Sequence, residues 1–428
     1  MQLTNFSWIP VFLAQRVRRS VIPFAFSILA LGFASPSVSA DDWPQWLGPN
    51  RNSVSKETIA PWKSELKPLW KVQIGSGFSV PVVANGKLYV HAEMTDKDAE
   101  EVICLDANTG KIVWRESYER APYKSALGAG PRATPTYHNG KLYTFGITGV
   151  LSCYDGKTGK RIWQKEPYKE FSAGLPAFGI CASPLVTENG VVVPVGGPGS
   201  SVVSFDLNTG NVKWKALDEP ASCASPILFP KAGSPSQFDI VVQTSLRILG
   251  LDPENGSIRW EHPLVFQPSG VSPTPIVSEN MIACTTQDSG TLVIKITDNK
   301  SDVAWWKHET TSYFSTGGLG ANNQVLIVTN KLKPLPRADL QCIDMKDGKV
   351  AWTKTGLGYF HFGLIVTADQ KLLILSDAGN LSLVDTLGGF KQLSSTKICG
   401  GTFANPVLSN GLLYFRDAKE VGCVSLKP

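Results

Sequence analysis

The 428-residue chain has little of what usually marks catalytic or nucleic-acid-binding proteins. Its five histidines (His91, His138, His262, His308, His361) are scattered without the short spacings of a metal-ligand set. No Cys-x-x-Cys-His occurs, which excludes that route to covalent haem, and no serine sits in a nucleophile-elbow motif. The glycine-rich stretch Gly196–Gly199 resembles a phosphate cradle in composition, but no helix follows to supply an N-terminal dipole, so a hairpin loop is expected. No helical periodicity of useful length is present. Charge is also modest. The formal net charge of +5 falls by three, to +2, once the first forty residues are set aside, because these hold Arg16, Arg18 and Arg19 and no acid. That balance gives no electrostatic case for nucleic acid or an anionic membrane surface.

Those forty residues read as a leader: the three arginines, the apolar run Val21–Ala34, then the small residues Val38-Ser39-Ala40. The run is shorter than the roughly 20 residues that span a bilayer, so cleavage near Ala40 and export to the periplasm or beyond are expected, with no membrane span in the mature chain. Eight cysteines in an exported chain invite disulfides, yet their positions favour free, buried thiols. Cys104, Cys153 and Cys342 each stand two residues before a repeated aspartate, Cys423 holds a similar place, and Cys181 and Cys223 share a second slot in two Cys-Ala-Ser-Pro strings.

Repetition is the strongest signal. An aspartate, a glycine four residues on and a tryptophan four further recur at Asp106–Gly110–Trp114, Asp155–Gly159–Trp163, Asp206–Gly210–Trp214, Asp252–Gly256–Trp260 and Asp344–Gly348–Trp352. Each interval holds four short apolar runs split by Asn-Gly or Asp-to-Gly turns, the pattern of antiparallel hairpins. Four-stranded units at a period near 45 residues predict an all-β, eight-bladed propeller of antiparallel blades. Prolines at 81, 135, 184, 226, 275 and 406 fall at equivalent places in the first strand, which therefore reads as the channel-side edge of each blade. The last unit, Gly401–Pro428, lacks a tryptophan strand, and Pro68–Val72 is such a strand with nothing before it. Pairing the two would close the ring. Units five and seven are degenerate: one offers Trp305-Trp306 without the aspartate, the other Gly388-Gly389-Phe390. The expected organisation is a leader over 1–40, an extended segment over 41–66 and the propeller over 67–428.

The repeat resembles the pyrroloquinoline quinone (PQQ)-type propeller repeat of quinoprotein dehydrogenases and of the propeller subunit of the outer-membrane β-barrel assembly machine. The strings Trp43-Pro-Gln-Trp-Leu-Gly-Pro-Asn50-Arg51, GPRATPT (130–136) and CASPLV (181–186) are similar to those of exported bacterial PQQ-like repeat proteins. The resemblance implies that each tryptophan docks on the neighbouring blade. It leaves two functional readings, since one fold serves both enzymes and scaffolds. Quinoprotein alcohol dehydrogenases hold their quinone over a vicinal disulfide with calcium and a catalytic aspartate. This chain has no adjacent cysteines, and its repeated aspartates are committed to turns. The leading expectation is a non-catalytic monomeric scaffold with an envelope-protein partner, no catalytic or metal-ligand residues and no cofactor. The alternative is a compact dehydrogenase for an alcohol or sugar, taking PQQ with calcium.

Candidate ligand-contacting residues follow from register. The residue before the first-strand proline is Thr134, Ser183, Ser225, Thr274 or Asn405, a level of small polar groups around the channel. These either satisfy backbone near an edge or form a polar mouth for a ligand. Arg132 is the charged group expected beside them, and His361 the histidine that would face the channel.

Overall fold

A computed structural model describes residues 42–231, 234–265, 273–331 and 335–428, so the expected leader over 1–40 and the expected start of unit five near Val271 lie outside the described residues. Eight four-stranded antiparallel sheets form the ring, seven of them ordered consecutively from the channel outward and the eighth completed by the N-terminal strand. Blade one comprises Val82–Ala84, Lys87–Glu93, Ala99–Asp106 and Ile112–Glu119, and the inner strands of blades two to eight are Thr136–His138, Leu185–Thr187, Ile227–Lys231, Ile276–Ser278, Gly318–Leu319, Phe362–Val366 and Val407–Ser409. The closure read from the sequence is present: Pro68–Gln73 supplies the outer strand of blade eight, with Trp70 opposite Cys423 and Gln73 opposite Glu420. Each of the six register prolines stands immediately before its inner strand, so it ends the ladder where a missing N–H costs nothing.

The repeated turn has one construction. In blade one the Asp106 Oδ1 accepts from the Asn108 and Thr109 amides at 3.2 and 3.1 Å and from the Thr109 hydroxyl at 3.0 Å. Gly110 closes the loop by donating to the Asp106 carbonyl at 2.9 Å, at a φ of 72° that only glycine adopts without strain. These bonds hold the Asp106, Asp155 and Asp206 carboxyls below the ordinary aspartate range; for Asp106 they do so against a burial effect that pushes upward.

Next, the turn receives the tryptophan of the preceding blade. A Cβ on Gly110 would lie 2.7 Å from the Trp70 ring, and the Trp70 indole donates to the Ala107 carbonyl at 3.2 Å. Trp114 sits likewise on Gly159 and Gly156, Trp163 on Gly210 and Leu207, Trp214 on Gly256 and Pro253, and Trp305 on Gly348 and Met345. The implied docking is therefore present at five seams. The apolar clusters follow the same seams: one joins Tyr89 and Cys104 of blade one to Leu142 and Tyr154 of blade two, another Tyr143 and Cys153 to Val191 and Phe205. The expected buried thiols are there, with Cys104, Cys153, Cys284, Cys342, Cys399 and Cys423 all buried and all eight cysteines free.

Blades eight and one are also joined by a buried guanidinium. Arg416 is fully enclosed and donates to the carbonyls of Ser79 (2.9 Å), His91 (2.8 Å) and Gly75 (3.1 Å). Burial lowers its pKa to about 10, and the three carbonyls stand in for the water it has lost.

Candidate functional site

The channel is filled from one end by the segment before the first strand. Leu47, Arg51 and Ser53 take positive φ values of 59°, 53° and 62°, winding residues 45–53 into successive turns rather than an extended lead-in. Trp43 pairs with Val83 of blade one and Val54 with Val366 of blade seven, which fixes the segment across the ring. Arg51 is driven into the centre, only 3% exposed. It donates to Gln45 Oε1 at 2.8 Å, to the Pro226 carbonyl at 2.7 Å, to Thr136 Oγ1 at 3.4 Å and to the Pro184 carbonyl. All these acceptors are neutral, and burial lowers the Arg51 pKa to about 9. One side chain thus ties blades two, three and four to the plug.

Above the plug lies the belt of small polar residues. Val80 N–H donates to Thr134 Oγ1 (3.2 Å), Thr134 N–H to Ser183 Oγ (2.9 Å) and Ser183 N–H to Ser225 Oγ (2.9 Å). Farther round, Thr274 N–H donates to Thr316 Oγ1 (2.9 Å), and the Trp46 indole of the plug donates to Thr274 Oγ1 (2.9 Å). The Thr134, Ser183, Ser225 and Thr316 hydroxyls accept the backbone N–H of the equivalent residue one blade back, which is the edge-satisfying role, whereas the Thr274 hydroxyl accepts from the plug. Thr316 completes the belt in blade six, where no proline marks the register.

The other end of the channel carries a collar of rings from the loops between blades. Phe78 meets Phe403 edge-on at 5.3 Å, Phe403 meets Phe314 at 5.8 Å, Phe314 meets Tyr313 at 5.5 Å, and Tyr313 meets Phe178 at 6.4 Å. Arg132 closes the circuit. Its guanidinium lies over the Phe78 ring at 5.7 Å, donates to the Phe178 carbonyl, and donates to the Gly128 carbonyl at 3.2 Å. His361 stacks on Phe314 at 5.7 Å. Its Nδ1 shares a 2.8 Å hydrogen bond with the Ser315 hydroxyl. Burial lowers its pKa to about 4, against the opposing pull of Asp377 and Asn405. The ring is therefore neutral at pH 7. His361 Nε2 and the nearby Asn405 Oδ1 are both buried, and Asn405 is the side chain whose hydrogen bonding opposes the burial effect on the ring.

Between plug and collar lies a cavity of about 480 Å³. Its walls carry Trp46 and Phe360 with the collar rings, Ser183, Ser225, Thr274 and Thr316 from the belt, the Cys181 and Cys223 thiols, His361, and Arg132. Of the expected contact residues, Arg132, Ser183, Ser225, Thr274 and His361 line this space. Thr134 is buried in the belt beside it, and Asn405 approaches it beside His361. No carboxylate or lysine is among the lining residues. Sequence reasoning missed Arg51, Trp46 and the phenylalanines, because their positions are not repeated from unit to unit. Two clefts open on the plug's side of the ring, both beside the degenerate units. One, of about 1110 Å³, runs from the plug past Leu185 of blade three and Phe229 of blade four to Asn280 and Asn299 of blade five, with Asp239, Glu279, Asp298 and Lys231 in its wall; the other, of about 450 Å³, lies beside Trp352, Gly388 and Gly389 at blade seven.

Comparison with known proteins gives both kinds of relative. The sequence model of the family described as outer membrane protein assembly factor BamB matches residues 60–125 and 98–354. BamB of Nitrosomonas eutropha is 26% identical over 251 residues, covering 54% of this chain and 51% of that protein. Quinohemoprotein alcohol dehydrogenase ADH IIB of Pseudomonas putida is 29% identical over 163 residues, 36% of this chain and 22% of that enzyme. The chain thus spans about a fifth to a half of the length of these curated relatives. Among solved structures, the quinohemoprotein alcohol dehydrogenase of Comamonas testosteroni superposes with a TM-score of 0.68 at 15% identity, covering 92% of this chain and 81% of its own. BamB of Moraxella catarrhalis gives 0.59 at 15%, covering 84% and 99%. At these identities the superpositions show the fold.

Proposed function

The chain belongs to the family described as outer membrane protein assembly factor BamB, and on that premise we propose that it is an exported, non-catalytic binding propeller that engages an envelope-protein partner, acting as a monomer. One observation carries the reading: the channel cavity is walled by rings, thiols and committed hydroxyls, with no carboxylate to serve as a general base. The only imidazole, His361, is neutral and held among Ser315, Phe314 and Asn405. The partner would meet the ring where the blades differ, at the collar and at the clefts beside blades five and seven.

The likeness to quinone-dependent alcohol dehydrogenases favours a second reading, a compact PQQ enzyme. The donor set argues against it. The collar rings suit a flat cofactor and Arg132 suits one of its carboxylates. Calcium, however, needs several oxygen ligands, and the cavity wall offers no carboxylate, nor do the described residues hold any cluster of three or more metal-binding side chains. Adding PQQ and Ca²⁺ to the purified chain tests the proposal. Absence of stoichiometric binding and of dye reduction with alcohols or aldoses, together with co-purification of an envelope protein, is the expected result. Stoichiometric binding with alcohol- or aldose-dependent dye reduction would overturn it.

A further inference from the structure

Two of the eight cysteines differ from the rest. Six are buried between or within blades, where loss of water pushes the thiols up, to about 12 for Cys104, Cys153, Cys399 and Cys423 and about 11 for Cys342. Cys181 and Cys223 are only partly buried, and both face the channel cavity. They stand in the loops that lead into the inner strands Leu185–Thr187 and Ile227–Lys231 of neighbouring blades three and four, in identical Cys-Ala-Ser-Pro strings. Two residues on, the Ser183 N–H donates to Ser225 Oγ at 2.9 Å, so the two backbones are held in register across that seam. Cys181 Sγ donates weakly to the carbonyls of Gly179 (3.7 Å) and Phe178 (3.9 Å), and the two thiols act on each other's protonation, with the Arg132 charge acting on both. Within the pair, the neighbouring thiol lowers the pKa of Cys181 and raises that of Cys223.

We propose that Cys181 and Cys223 form a reversible disulfide linking blades three and four inside the channel cavity, made and broken by exchange with small disulfides and thiols that enter there. Cys181 is the attacking sulfur, because the thiolate is the nucleophile in such exchange. Its thiolate attacks one sulfur of the incoming disulfide, and the other half leaves as a thiolate that takes up a proton. Cys223 then loses its proton and attacks the Cys181 sulfur of the mixed disulfide, expelling the second half as a thiol. The two cysteines give up two electrons and two protons, and the incoming disulfide becomes two thiols. Closure requires the two Cα atoms to stand within about 7 Å of each other, and the Ser183–Ser225 hydrogen bond two residues on holds the two backbones close.

The test uses the native full chain in glutathione buffers of increasing oxidised fraction, quenched with acid, alkylated, digested and mapped by mass spectrometry. A peptide linking Cys181 to Cys223 should accumulate as the buffer becomes oxidising and vanish on return to reducing buffer without denaturant. The other six thiols should stay unmodified until the protein is unfolded. In Cys223→Ser the second step is removed, so glutathione should remain attached to Cys181; Cys181→Ser should leave Cys223 mostly unmodified. Arg132→Gln should slow alkylation of Cys181 in the reduced protein, by up to about tenfold per unit of lost pKa depression, and Arg132→Lys should restore it. The proposal is overturned if the native chain keeps both thiols free in oxidised buffer, links either to another cysteine, or reduces the bridge only after unfolding. Stable glutathione on Cys223 in Cys181→Ser, with none on Cys181 in the reverse variant, would overturn the assigned order of attack. If a serine variant fails to fold, the native-chain map alone decides.

Discussion

Blade two and blade seven are built from the same four antiparallel strands, but their turns meet the preceding blade differently. At blade two the incoming Trp114 lies on Gly159 and bonds the Gly156 carbonyl. At blade seven the incoming Trp352 meets Phe390 edge-on at 6.0 Å, and a cleft of about 450 Å³ remains beside it. Blade five departs by another route. There the five-residue turn has shrunk to Asp298-Asn299 at positive φ, and Trp260 folds back on its own blade, its indole donating to Asp239 Oδ2 at 2.8 Å. The same strand architecture thus tolerates loss of the motif, but the seam is left with a cleft. The motif serves cohesion, and its absence creates surface available for recognition.

The largest contrast is expected from removing the docked ring. Trp163→Ala should cost about 3–5 kcal/mol, the usual range for deleting a buried aromatic side chain, whereas Trp352→Ala, beside an open cleft, should cost under about 2 kcal/mol. Urea midpoints and slopes measure both, and equal losses would break the distinction between seams.

Blade seven also carries the cavity's histidine. The unfolded chain protonates His361 near pH 6.5, while the buried ring resists protonation until about pH 4. Below pH 6.5 the unfolded state therefore binds the proton first, so stability falls with pH between 6.5 and 4 and is fully present above that window. The integrated effect is about 3 kcal/mol. His361→Gln should flatten that part of the stability–pH curve; an unchanged slope would show that another group sets it.

A smaller contrast concerns the turn glycines. Both Gly159 and Gly388 hold positive φ, 78° and 81°, but a Cβ on Gly159 would strike the Trp114 ring at 2.6 Å and one on Gly388 would meet nothing within 4 Å. Alanine at 388 should cost only the backbone penalty of about 1–2 kcal/mol. Alanine at 159 should add about 1–3 kcal/mol of overpacking. Thermal midpoints of the two variants test this difference directly.

The parts legible in the sequence were those written more than once. Five copies of the aspartate–glycine–tryptophan spacing announced blade, turn and seam, and the two incomplete ends announced the closure between Pro68–Gln73 and Glu420–Ser425. The belt was legible as far as its prolines went, so Thr316 escaped because blade six has none. What the sequence did not reveal was made by single residues acting over long separations. Arg51 reaches Pro226 across 175 positions, Arg416 reaches Gly75 across 341, and the collar is assembled from loops of six blades. Periodicity carries no information about such contacts, because each occurs once. Five of the seven expected ligand residues line the channel cavity, and the hydroxyls of Thr134, Ser183, Ser225 and Thr316 are engaged in joining blades.

The central claim is that the motif locks seams and that its loss loosens them. Hydrogen exchange of the native full chain, followed by mass spectrometry of peptides over 106–114, 155–163, 206–214 and 344–352 against 297–303 and 385–391, tests it most directly. The docked turns are predicted to exchange together and late, with the blade-five and blade-seven turns opening at least roughly tenfold faster. Equal protection at all six turns, or slower exchange at 385–391, would contradict the account.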